Sequence, residues 1–392
     1  MTPPARWPAH PAPVDSEVLS SWLHRIGACY QMSVAELVEH GLGLDPKVAD
    51  GLDLDPPPAL LDIVAERTGV EVCRLRQMSL AGWAPGPADS AEADSPEASP
   101  GAFDTYVRSC SVLLEAGKRS KQPAGPWRAW MPRYPLQRAC PRCADPTVEG
   151  MLLGWRFPLQ LSCPHHRCAL EACIGFPGGH PAWTGDETPE RAVSEAVLAM
   201  DRRSGQALAT GQVDLPCGTV DAAGWFRLVR TVLDEVATPI SCWRSRAVDL
   251  RRIWAACGHP LRAAQGRWRP FEHCPWALQS QMLEAAAEAI QLLENGTVTA
   301  AGADAGLFVS APAVEDRRPS KDEEPTDWWA MVRAALQEVV ATARTQPGEA
   351  RALYNFLRCG CREPPEQILA TFAGLGIPTA HLSQNHPTVP FG

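Results

Sequence analysis

The stretch "CPRCADPTVEGMLLGWRFPLQLSCPHHRC", Cys140 to Cys168, carries two short knuckles, Cys140-Pro-Arg-Cys143 and Cys163-Pro-His-His166. Two ligands separated by two residues can face one ion from a single tight turn, and a second such turn completes a tetrahedron. The proline inside each knuckle fixes one φ angle and so preorganises the turn. Cys140, Cys143, Cys163 and His166 are therefore expected to hold zinc. With four protein ligands the site is closed, which makes it structural and not catalytic. Zinc binding contributes roughly 10–16 kcal/mol in small fingers, so such a module folds with its metal. Between the knuckles, Leu153, Trp155, Phe157, Leu159 and Leu161 alternate with other residues. That pattern predicts a strand returning the second knuckle to the first.

Further cysteines and histidines follow without paired knuckles. Cys168, Cys173 and His180 form one loose group, and Cys257, His259, His273 and Cys274 another. Buried thiols account for both groups as readily as a second zinc does. Cys359-Gly-Cys361 is too tight for a finger.

Composition narrows the class. A chain of 392 residues is long for one domain, and 45% hydrophobic residues can bury real cores. No apolar run reaches the roughly 20 residues of a membrane span. The opening "MTPPARWPAHPAP" lacks the apolar centre of a signal peptide, so a cytoplasmic protein is expected. There, 14 cysteines are thiols or metal ligands and not a disulfide framework. A formal net charge of −9 argues against indiscriminate nucleic-acid binding. Two segments are nonetheless basic. Residues 116–144 hold Lys118, Arg119, Lys121, Arg128, Arg133, Arg138 and Arg142 with no acid, and residues 241–270 hold Arg244, Arg246, Arg251, Arg252, Arg262, Arg267 and Arg269 against Asp249 alone. Tryptophans accompany both, Trp127 and Trp130 in the first and Trp243, Trp254 and Trp268 in the second. Lys118, Arg119, Arg251 and Arg252 are the candidate phosphate contacts; solvated arginines beside core tryptophans are the plainer explanation.

Helical patterning dominates elsewhere. Val18, Leu19, Trp22, Leu23, Ile26 and Tyr30 share a helical face, with Asp15 or Ser16 available as cap. Ser33-Val-Ala-Glu36 is a capping box, and Gly41 can stop the helix it starts. Leu60, Leu61, Ile63 and Val64, then Val72, Leu75 and Met78 after Thr68-Gly69, predict two short helices about a turn, a helix-turn-helix-like unit. Thr188 and Pro189 start a helix, Asp221 caps one carrying Trp225, Leu228, Val229, Val232 and Leu233, and an Ala-rich helix runs from Pro275 to about Asn295 before Gly296. Trp328, Trp329, Val332, Leu336 and Val339 predict another, followed by a helix, a Gly/Pro break and a last helix. Two acidic, Pro-containing tracts, 85–102 and 311–327, cannot bury enough apolar surface to order themselves and are expected to be linkers. No GxxxxGK[ST] loop, GxSxG elbow or HExxH is present, so no enzyme is expected.

Two of these stretches together resemble the TniQ family. "PAPVDSEVLSSWLHRIGACYQMSVAELVEH" is similar to the opening of its members, and "ACPRCADP…LLGWRFPLQLSCPHHRCAL" to their zinc segment, over about residues 6–175. The resemblance implies a transposition accessory protein that helps select the target site, contacts an AAA+ ATPase regulator and reaches the transposase through it. Some members bridge a CRISPR guide-RNA effector complex to that ATPase, and others read target DNA directly. Where some members continue with another CPxC knuckle, this chain has "EACIGFPGG" with Cys173 alone.

The expected architecture is mainly α with a small zinc-bound, β-containing module. It divides into an N-terminal helix-turn-helix-like region (1–84), a linker (85–102), the zinc-finger module (103–185), a helical domain (186–310), a linker (311–327) and a C-terminal helical segment (328–392). The expected partners are the ATPase, target DNA, a guide-RNA complex in some settings and a second copy of the chain, with no membrane. A zinc-containing DNA-binding transcriptional regulator is the alternative; a metal-dependent nuclease or transferase has less behind it.

Overall fold

The computed structural model describes residues 6–83, 106–116, 137–143, 150–174, 181–183, 190–261, 271–274, 276–309, 337, 339–359 and 364–383. Both expected linkers, the Thr188-Pro189 start, Trp328 and Trp329 lie outside these residues. The architecture is mainly helical with few, short strands.

The first unit is all helix. α1 (Leu19–Cys29) buries Leu19, Trp22, Leu23 and Ile26. Neither Asp15 nor Ser16 caps it. Val18 is the N-cap and its side chain has no acceptor, and the Ser20 N–H instead donates to Asp53 Oδ1 at 2.9 Å. The cap is supplied from a distant loop because Ser16 sits at φ +59, turned into the preceding bend. Gly27 lets the chain fold tightly back, since a Cβ there would stand 2.6 Å from the Met32 carbonyl oxygen. α2 (Val34–Glu36) forms on the expected capping box, with the Ser33 Oγ accepting from the Glu36 N–H and the Glu36 carboxylate accepting from the Ser33 N–H. It widens into a π turn over Leu37–Gly41.

α3 (Pro58–Thr68) ends at Gly69, whose φ of +78 is the left-handed C-cap a glycine supplies freely. α4 (Val72–Gln77) follows. Leu60, Leu61, Val64, Leu75 and Met78 pack into one core with α1, as the pattern predicts, while Val72 stays 40% exposed.

A second, larger core begins at Val18 and Leu80 and continues through the knuckle region to Phe308. β1 (Arg138–Ala139) pairs antiparallel with β2 (Glu171–Ala172). The strand expected between the knuckles is not there. Leu153–Arg156 form a one-turn helix, α5, followed by turns, although Leu153, Trp155, Phe157, Leu159 and Leu161 are all buried as expected. The carbonyls of Phe157 and Gln160, which a strand would commit to a ladder, accept instead from the buried Arg138 guanidinium at 2.7 Å each. That guanidinium also stacks on Trp276, 4.3 Å from the ring centre.

α6 (Glu195–Thr210) is capped by Ser194, and the hairpin of β3 (Gln212–Leu215) and β4 (Gly218–Asp221), absent from the sequence reading, leads to α7. α7 (Ala222–Val236) is capped by Asp221 as expected, and Trp225, Leu228, Val229, Val232 and Leu233 are buried. α8 (Ile240–Trp243) and α9 (Ala247–Ala256) lead to the Ala-rich α10 (Trp276–Glu294), which packs on α6 and α7 and is followed by Gly296 at φ +73. Phe157 meets Phe226 of α7 at 4.5 Å, joining the knuckle region to these helices in one core. The buried Glu235 carboxylate accepts the N–H groups of Val112, Leu113 and Leu114 at 3.1, 2.7 and 3.3 Å, fixing that segment against α7.

α11 (Pro347–Cys359), α12 (Pro365–Gly374) and α13 (Ala380–Ser383) make a third, small core around Ala350, Leu353, Ile368 and Phe372. Among the described residues no helix is long and apolar enough to cross a membrane.

Candidate metal centre

β1 delivers Cys140 into a tight turn. The Cys143 N–H donates to the Cys140 carbonyl at 3.1 Å and lies 3.4 Å from its sulfur, so the backbone itself turns both thiols to one side. The second knuckle closes in the same manner: the Arg167 N–H donates to the Cys163 carbonyl, and the Cys163 N–H to the Cys168 carbonyl, both at 2.9 Å. Arg167 takes a left-handed φ of +55 to complete this turn, a conformation that carries a steric cost for a residue with a Cβ.

The two turns bring Cys140, Cys143, Cys163 and His166 together, their ligand atoms all within 4.8 Å of one another. Cys143 Sγ lies 3.7 Å from Cys163 Sγ. His166 Nδ1 lies 3.5 Å from Cys140 Sγ, 3.1 Å from Cys143 Sγ and 3.8 Å from Cys163 Sγ. Zinc–sulfur bonds of about 2.3 Å and zinc–nitrogen bonds of about 2.0–2.1 Å give tetrahedral edges of about 3.8 Å between sulfurs and about 3.6 Å between sulfur and nitrogen. The donor set and its spacing fit a tetrahedral thiolate–imidazole metal. The three sulfurs are buried and the histidine half-buried. Thiol donation from Cys143 and Cys163, with the N–H groups of Cys143 and Arg142, holds Cys140 well below the ordinary thiol range; the same sharing pushes Cys143 up. A cation bound here would hold the sulfurs as thiolates.

A further sulfur adjoins this group. Cys168, 2% exposed, lies 3.6 Å from Cys140 Sγ, and burial pushes its thiol up to about 12. The chain entering the second knuckle is held by Asp201 of α6. Its Oδ2 accepts the Leu161 N–H at 3.1 Å and both the Ser162 N–H and hydroxyl at 2.6 Å. Burial raises the Asp201 carboxyl to about 7 despite those donors. The surface arginines of both knuckles also reach acids near the start of α6, Arg142 to Glu190 at 2.8 Å and Arg167 to Glu195.

The metal module is joined to the N-terminal helices by main chain and side chain together. The Val18 N–H donates to the Met151 carbonyl at 2.9 Å, the Leu153 N–H to the Ser16 carbonyl at 2.7 Å, and the Met151 N–H to Ser21 Oγ at 2.9 Å. Arg156 approaches Asp53 at 3.4 Å, the same carboxylate that caps α1.

Other sequence candidates are not gathered. Among the described residues there is one His/Cys/Asp/Glu group able to hold a metal. Cys257 spends its S–H on the carbonyls of α9, and His259 pairs with Glu284 of α10; His180 and the His273 side chain lie outside the described residues. Lys118 and Arg119 also lie outside them. Arg252 is exposed on α9 but bonded to Asp249 and to the Thr297 carbonyl, and Arg251 is half-buried. Trp243 and Trp254 are core residues, their indole N–H groups donating to the carbonyls of Glu235 and Val236. Asp201 was legible only in part: it falls on the same α6 face as Val197, Ser204 and buried Ala207, where a lone acid signals a buried acceptor.

Residues 8–170 match the family model described as TniQ. No curated protein and no solved structure matches this chain.

Proposed function

We propose that this chain, whose residues 8–170 match the family model of TniQ, a family of transposition accessory proteins, acts as a non-enzymatic adaptor in target-site selection. In this reading it links target DNA, or a guide-RNA targeting complex, to an AAA+ ATPase regulator and through it to the transposase. One observation carries the proposal. The matched segment spans two cores that are stitched together, the N-terminal helices and the metal module sharing the Val18–Met151 and Ser16–Leu153 backbone bonds. A rigid body of this kind suits docking of one partner against another.

Zinc, held by Cys140, Cys143, Cys163 and His166, has a structural part here, because four protein donors leave no coordination position for a substrate. The chain lacks a phosphate-binding loop, which fits a role in which ATP is turned over by the partner. The division into regions 1–84, 103–185, 186–310 and 328–392 belongs to the same proposal, as does phosphate contact by Lys118, Arg119, Arg251 and Arg252. The alternative, a zinc-containing DNA-binding regulator of transcription, draws on α4, which leaves Val72, Arg74 and Arg76 at the surface.

The test is integration in a reconstituted system containing the cognate ATPase and transposase, with and without this protein, alongside capture of the ATPase by the tagged full chain. Loss of insertion at the normal site together with capture supports the adaptor. Unchanged insertion without the protein refutes it and favours the regulator.

A further inference from the structure

We propose that Cys168 is an outer sulfur of the metal centre, whose S–H donates to the Cys140 sulfur and so controls how tightly that ligand holds the ion. The inference rests on the zinc reading above and adds a positioning residue to it.

Three observations converge. First, Cys168 Sγ lies 3.6 Å from Cys140 Sγ, within reach of an S–H···S bond, yet it stands outside the group of four whose donor atoms are mutually within 4.8 Å. It therefore touches one ligand without being a vertex. Second, its position is set by backbone. Its carbonyl accepts the Cys163 N–H at 2.9 Å, it bridges antiparallel to Ala192, and the next residue donates to the Arg191 carbonyl at 2.8 Å. The thiol is thus placed before any ion arrives. Third, Cys168 is 2% exposed, so water does not compete for its S–H.

A metal-bound thiolate keeps residual negative charge and accepts hydrogen bonds. Cys140 already has the Cys143 N–H 3.4 Å away, and Cys168 adds a second donor. Partners that bond to a ligand tune both its charge and its orientation. A thiol acting only as small hydrophobic filling would have no such effect.

The experiment uses the full chain, stripped of metal and reloaded with Co(II), as wild type, Cys168→Ala, Cys168→Ser and His166→Ala. Two signals are read: the sulfur-to-cobalt charge-transfer band, and Zn(II) affinity by competition with a chromophoric chelator. In Cys168→Ala the Cys140 sulfur becomes more electron-rich, so the band should move to longer wavelength. Zinc affinity should fall about tenfold, the lower end for loss of a partner to a metal ligand. Cys168→Ser keeps an O–H donor and should return the band toward wild type, with affinity within about threefold. His166→Ala should lose cobalt intensity without becoming a tetrathiolate. A Cys168→Ala protein matching wild type in both signals overturns the proposal and leaves the zinc reading standing. A tetrathiolate spectrum in His166→Ala would make Cys168 an exchangeable ligand and overturn it equally. A wild type that binds neither metal overturns this proposal and the zinc reading together.

Discussion

Replacing Asp201 with asparagine should change the slope of stability against pH. Asp201 is 1% exposed and its carboxyl is raised to about 7, burial being the main cause and the Ser162 and Leu161 donors and Arg138 opposing it. An unfolded aspartate titrates near 3.9. A folded value above the unfolded one means that the native state holds the proton longer. The stabilising contribution is complete below about pH 4 and is lost as pH rises through about 7. Each unit of difference corresponds to about 1.4 kcal/mol, so full ionisation costs roughly 4 kcal/mol. Between pH 5.5 and 8.5 the part still to be lost is about 2 kcal/mol. Asparagine is neutral throughout, and its side-chain oxygen can still accept from Leu161 and Ser162. The variant should therefore gain on wild type by about 2 kcal/mol across that range. Urea unfolding followed by tryptophan fluorescence, with zinc at one saturating concentration, measures it. Taking wild type and variant at the same pH cancels the pH dependence of metal binding itself. A difference that stays constant from pH 5.5 to 8.5 would refute the reasoning and show that Asp201 is already ionised well below neutrality.

Three other outcomes follow from the same structure. Purified protein should carry about one zinc per chain by elemental analysis; Cys163→Ala should release it and lower the thermal midpoint sharply, and a wild type that is folded but metal-free would end the metal reading. Glu235→Ala strips the acceptor from three buried N–H groups, which at about 1–3 kcal/mol each should cost roughly 3–9 kcal/mol in chemical denaturation; a loss below about 1 kcal/mol would mean that residues 112–114 find other partners. The Arg251→Ala, Arg252→Ala double variant should lower the salt dependence of DNA binding by about one unit of slope per lost phosphate contact, whereas unchanged affinity and slope would assign both arginines to ordinary surface.

Local signals in the sequence were sufficient wherever one stretch of chain decides its own conformation. The Ser33 capping box, the Thr68-Gly69 break, the Asp221 cap and the Gly296 stop all act within a few residues, and each is found as read. The metal quartet belongs to the same class. A Cys-x-x-Cys or Cys-x-x-His turn orients both donors by its own backbone, so pairing two of them leaves little for the rest of the chain to decide. The resemblance to TniQ rested on these same motifs and agrees with the match over residues 8–170.

What only the tertiary structure decided depends on groups far apart in sequence. Alternating apolar residues predicted a strand at Leu153–Leu161, but alternation records burial and not pairing. Arg138, arriving from another segment, took the carbonyls that a ladder would have used. The cap of α1 came from Asp53 and not from adjacent Asp15 or Ser16: the chain bends at Ser16, and a carboxylate distant in sequence lies within reach of the Ser20 N–H. Cys168 beside Cys140, and Asp201 beneath Ser162, are likewise products of packing. The sequence by itself determined most of the helices and the gathering of Cys140, Cys143, Cys163 and His166, because turns and caps are short-range. Which buried polar groups satisfy one another was left to the fold, because a hydrogen-bond partner is chosen by proximity in space.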